Sequence, residues 1–189
     1  IVAERSLMYG IILTPLLIKN KFQLLEIVLE NEDTVQIGLH LLATACYLRE
    51  VDPRINLSVW TTLLSFSNDL STNYDSINSL VCEILSHLIS IEKNHKWILE
   101  NGAVNYISNI MLYLSEIKKV NVLLLHYVLE FLEKCGEYPS TYISDNRDIF
   151  KCIFSLLKKK NLPNTNTKES SKGRLLNLIQ LYSTKILDN

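Results

Sequence analysis

The residues of this chain with the chemistry for a metal or acid–base site are four histidines, His40, His87, His95 and His126, and four cysteines, Cys46, Cys82, Cys135 and Cys152. Zinc needs nitrogen or sulfur ligands that converge tetrahedrally, and local sequence supplies them as HExxH pairs, CxxC hooks or zinc-finger Cys/His spacings. None of these occurs, so no metal is expected. There is also no glycine-rich phosphate loop, no GxSxG elbow and no HxE with a downstream CxxC. With only five glycines, little material is left for tight catalytic loops, and the chain reads as a non-enzyme without a cofactor. The cysteines lie more than fifteen residues apart inside apolar stretches. That spacing suits buried thiols rather than a disulfide framework, and a reducing compartment: the cytoplasm is expected, with the nucleus as the alternative.

Positioning elements come next. Apolar residues make up 48% of the chain and charged residues 21% in nearly balanced sign, with four prolines, which is the composition of a folded globular chain. Apolar positions recur every three or four residues, as in Val35, Leu39, Leu42, Cys46 and in Leu80, Ile84, Leu88, the period of one helix face. No run of strict alternation competes, so the expected class is all-α. Helix-start chemistry separates the runs: Asp33 with Gln36, Asp52 before Pro53, Asp75 before Ile77, and Ser140 after Pro139. The apolar stretch Leu7 to Ile18 contains Gly10 and Pro15 and is too short to cross a hydrocarbon core of about 30 Å. It also lacks a cleavage pattern, so neither a membrane span nor a signal peptide is expected. The apolar opening without Met reads as a segment of a larger protein.

An internal repeat organises these helices. Residues 94–135 read as three of them: Asn94 to Glu100, a break at Asn101 and Gly102, Val104 to Ile117, a turn at Lys118 and Lys119, and Asn121 to Cys135. The stretch Asn94-His95-Lys96-Trp97-Ile98-Leu99-Glu100-Asn101-Gly102-Ala103-Val104 resembles the armadillo family's junction between first and second helices. Glycine has a physical reason there, because the sharp turn needs positive φ. Weaker matches in register are Asp52 to Asn56 with Leu57 to Asn68, and Pro139 to Asn146 with Asp148 to Lys159. Third helices then begin near Thr34, Asp75, Asn121 and Lys172, at intervals of 41, 46 and 51 residues, against about 40–47 for armadillo and HEAT repeats. The last interval contains a polar insertion, about 161–171, expected to be a mobile loop. The resemblance implies a single domain over 1–189: a right-handed α-solenoid of about four armadillo-like repeats. The competing architecture is an irregular helical bundle.

Armadillo proteins that bind extended peptides, such as nuclear-import adaptors, use a third-helix Trp-x-x-x-Asn pattern. Residue by residue it falls on Ala43 and Tyr47, Glu83 and His87, and Tyr127 and Phe131. None is Trp or Asn, so that asparagine ladder is not expected. The residues that remain, Tyr47, Glu83, His87, Tyr127 and Phe131, form a candidate partner-binding surface, since aromatic groups in a concave site bury large area. A second surface follows from charge. Residues 145–189 hold nine Lys or Arg against four acids (+5), and the first 144 hold ten against sixteen (−6). Lys158, Lys159, Lys160, Lys168, Lys172, Arg174 and Lys185 form a candidate basic patch for an acidic protein segment, a phosphoinositide surface or nucleic acid. Nucleic acid is disfavoured because no aromatic residues interleave with the cluster.

The function expected from sequence is a non-catalytic scaffold or adaptor that binds protein partners, for instance in cytoskeletal assembly. Two alternatives stand beside it: a chaperone regulator resembling the armadillo exchange factors that grip a chaperone's nucleotide-binding lobe, and a structural segment that self-associates through its solenoid ends.

Overall fold

The computed structural model describes residues 22–31, 33–48, 51–68, 70–137, 143, 146–164 and 169–187, with residue 55 and residues 184–187 described by backbone alone. The apolar stretch Leu7 to Ile18 and most of the expected short helix after Pro139 lie outside these residues. Among the described residues every regular element is helical: α1 (Gln23–Glu30), α2 (Val35–Leu48), α3 (Leu57–Ser65), α4 (Asp75–Ile89), α5 (Glu92–Ile98), α6 (Val104–Glu116), α7 (Val122–Gly136), α8 (Arg147–Leu157) and α9 (Ser171–Leu187). No helix among them is long and apolar enough to cross a membrane.

Local chemistry explains most of the boundaries. Asp52 accepts from the Arg54 amide at 3.0 Å and opens a short 3-10 turn at Pro53–Ile55. Asn56 accepts from the Val59 amide, Asn121 from Leu123 and Leu124, and Asn146 from Asp148 and Ile149, so these asparagines cap α3, α7 and α8. Two expected caps differ. Asn31, not Asp33, organises the turn before α2, accepting from the Asp33 amide at 2.9 Å. Asp75 is the first residue of α4 rather than its cap, and its buried carboxylate accepts from the Tyr113 hydroxyl at 2.8 Å. Ser140 lies outside the described residues.

The break after α5 falls where the sequence places it. Asn101 (φ −109°, ψ 37°) and Gly102 (φ 102°, ψ −9°) leave helical geometry, and α6 begins two residues later. Trp60 packs against Trp97 with ring centroids 5.1 Å apart, and its Nε1 donates to the Asn101 carbonyl at 2.9 Å. The junction is thereby tied to the preceding helices.

The long helices pack in two rows. In the first, α4 lies between α2 and α7, and α9 packs on α7; in the second, α6 packs against α8, and α1 packs on α3 and α2. Flanked on both sides and backed by α5, α4 buries residues on almost every face, including Asn78, Ser79, Cys82 and Ser86. A helix apolar on one stripe only would leave such a position half unsatisfied. The core runs continuously from Phe22 to Tyr182. All four cysteines are buried and none is in a disulfide. Of the expected loop, 161–164 and 169–171 are described: Leu162 packs on the core, and the Ser171 hydroxyl donates to the Pro163 carbonyl at 2.6 Å.

Candidate functional site

The first row of helices carries a continuous line of aromatic and charged side chains. Tyr47, in the last turn of α2, is 68% exposed and stands edge-on to His87 of α4, with ring centroids 5.5 Å apart. One helical turn back, Glu83 lies 3.9 Å from His87 Nε2. Glu83 also accepts from the Tyr127 hydroxyl of α7; burial, with the Glu83 charge behind it, pushes the Tyr127 phenol up and keeps it protonated. Tyr127 meets His126 at 5.0 Å between ring centroids. Beside them a groove of about 380 Å³ runs between α2, α4 and α7, lined in part by Gln36, His40, Glu83, Asn121 and Tyr127.

Beyond Tyr127 the line becomes ionic. His126 Nε2 lies 3.8 Å from Glu130, which pairs with Lys134 at 2.8 Å. Lys134 reaches across to α4, donating to the Ser86 carbonyl and hydroxyl at 3.1 Å. Burial alone would raise the Glu130 carboxyl, but the Lys134 hydrogen bond and charge hold it below the ordinary range. Arg174 of α9 forms a two-pronged pair with Glu133, both contacts at 2.6 Å. Its third nitrogen meets His126 Nδ1 at 3.2 Å. Guanidinium nitrogens only donate, so this contact places the acceptor lone pair of His126 on Nδ1. Burial, and then the Arg174 charge, push the His126 pKa down.

Two expectations for these surfaces need correction. Phe131 is fully buried and is not available to a partner. It shares the α7 stripe of Leu124, Val128 and Cys135, which faces the core. Arg174 is only 4% exposed and engaged with Glu133, so it belongs to the α7–α9 contact rather than to a basic surface. Lys159 is half-buried, its Nζ donating to the Ile117 carbonyl. Lys158, Lys160 and Lys172 are exposed; Lys168 and the side chain of Lys185 lie outside what is described. His126, Glu130, Glu133 and Lys134 were absent from the sequence reading of the site, although the i, i+4 run His126, Glu130, Lys134 is a legible helix-face signal.

Burial raises the Cys46, Cys82 and Cys152 thiols, the opposite of what a reactive thiolate requires. Among the described residues no three His, Cys, Asp or Glu side chains are placed to hold a metal ion. No known protein family matches this chain, and neither a curated protein nor a solved structure is significantly similar to it.

Proposed function

We propose that this chain is a non-catalytic protein-interaction domain built of armadillo-like helical repeats, which presents the α2–α4–α7 face to a protein partner. The observation that carries the reading is Tyr47: a large ring 68% exposed, held edge-on by His87 at 5.5 Å. A ring pre-set in this way loses little entropy when a partner covers it. Repeat spacing supports the solenoid part. Four of the side-chain hydrogen bonds between separate segments link residues 41–43 positions apart, Trp60 to Asn101, Asn94 to Val51, Lys159 to Ile117 and Arg174 to Glu133, while others span from 28 positions, Tyr106 to Asn78, to 50, Tyr182 to Leu132. Contacts confined to neighbouring units are the defining property of repeat proteins.

The test is affinity capture with the chain as bait, alongside Tyr47→Ala and Tyr47→Ala/Tyr127→Ala, with thermal unfolding of each variant followed in parallel. A defined partner retained by the wild type and lost from Tyr47→Ala at unchanged stability is the expected result. Equal retention by all three proteins overturns the assignment of this face.

A further inference from the structure

A different edge of the molecule carries a second binding surface. The C-terminal ends of α6 and α8 adjoin, because Lys159 Nζ donates to the Ile117 carbonyl at 2.5 Å. This brings the turn at Lys118 and Lys119 beside the turn at Lys158, Lys159 and Lys160, and all of these lysines except Lys159 are exposed. The nearest acid in sequence is Glu116, while Asp148 is taken up by Lys151 at 2.8 Å. Two helix C-termini contribute about −0.5 charge each. Five lysines set against these and Glu116 leave a net charge of about +3.

Two exposed apolar side chains lie on the same helices. The outward stripe of α6 is Asn105, Asn109, Leu112, Glu116, and that of α8 is Arg147, Lys151, Phe154, Lys158. These stripes match position for position at an offset of 42 residues, the same offset as Ile117 and Lys159. Leu112 (51% exposed) and Phe154 (50%) therefore occupy equivalent outward sites, each about one turn before the lysine-bearing edge. None of this joins the Tyr47 face, so the inference stands independently of the reading above.

We propose that this edge docks on an anionic lipid bilayer, with the lysines over the headgroups and Phe154 and Leu112 entering the interface. Chemistry favours lipid over a shaped anionic partner. Recognition of one carboxylate or phosphate group in fixed geometry favours arginine, whose planar fork binds two oxygens at once. The arginines that flank the 158–160 turn in sequence are Arg147, at the opposite end of α8, and Arg174, which is engaged by Glu133; the turns themselves carry lysines alone. Lysine is a flexible point charge suited to a diffuse anionic surface, and apolar groups beside it suit the headgroup–acyl boundary.

The experiment is vesicle co-sedimentation of the 189-residue chain, comparing phosphatidylcholine alone with vesicles of roughly one-third phosphatidylserine. The wild type should partition onto the anionic vesicles and not the neutral ones, and release as salt is raised to roughly 0.5 M. A lysine near such a surface contributes about five-fold. Lys118→Gln/Lys119→Gln/Lys158→Gln/Lys160→Gln should therefore lose roughly 600-fold in partitioning, with unchanged thermal unfolding because all four side chains are exposed. Phe154→Ala should weaken binding by about ten-fold. No partitioning, partitioning indifferent to the lysine substitutions, or partitioning indifferent to Phe154→Ala would overturn the proposal. So would tighter binding of a glutamate-rich peptide or an oligonucleotide than of the vesicles.

Discussion

Gly102→Ala tests whether the α5–α6 junction depends on backbone conformation. Gly102 sits at φ 102°, where an L side chain is strained whatever the surrounding space. Placing a Cβ in the left-handed region costs about 1–2 kcal/mol. The added carbon would also lie 2.9 Å from Leu64 Cδ1. That methyl is the free end of a flexible side chain, so moving it adds less than about 1 kcal/mol. The expected destabilisation is thus about 1.5–2.5 kcal/mol, with most of it from the backbone. For a domain of this size it corresponds to a fall in Tm of roughly 4–8 °C. Urea unfolding followed by circular dichroism measures it directly. Combining the change with Leu64→Ala in a double-mutant cycle separates the parts: the clash appears as coupling between the sites and the strain does not. Destabilisation below about 0.5 kcal/mol, or a loss fully explained by coupling to Leu64, would refute the argument that the turn demands positive φ.

Two further predictions concern buried polar groups. Tyr113→Phe removes the hydroxyl that donates to Asp75 at 2.8 Å and leaves a buried carboxylate one partner short; a loss of about 1–3 kcal/mol is expected in chemical unfolding, and a neutral outcome would mean that water replaces the bond. Burial of the Tyr113 phenol, reinforced by Asp75, pushes its pKa up to about 12, so the hydroxyl donates throughout the neutral range. His126 sets a pH dependence: burial and Arg174 hold its folded pKa below the ordinary 6.5, so on acidification the unfolded chain takes up the proton first. Its contribution is therefore full above pH 6.5 and lost as pH falls from there through the folded value. His126→Gln should flatten that part of the stability profile relative to wild type, and superimposable profiles would count against it.

Much of the secondary structure was legible in the sequence because its causes are local. Helices expected near Thr34, Asp75, Asn121 and Lys172 begin at Val35, Asp75, Val122 and Ser171, since apolar period and first-turn capping act within a few residues. Gly102 marked its own break for the same reason. Choices between similar local options were harder to read. Asn31 displaced Asp33 in the turn before α2, and Asp75 turned inward to Tyr113, a partner 38 positions away that no neighbouring residue reveals.

The candidate surfaces divide in the same way. Helical spacing determines that Tyr127 and Phe131 lie one turn apart on one side of α7. Only packing decided that Phe131 is covered completely while Tyr127 keeps an edge at the groove. A helix in the middle of a row has buried flanks as well as a buried back, and a single amphipathic stripe cannot represent that. Charge followed the same rule. Composition alone established that the last 45 residues are basic, +5 against −6 for the rest. Tertiary structure then withdrew Arg174 into its pair with Glu133 and set the lysines at 118–119 beside those at 158–160, because Coulomb interactions depend on distance in space and not on separation along the chain.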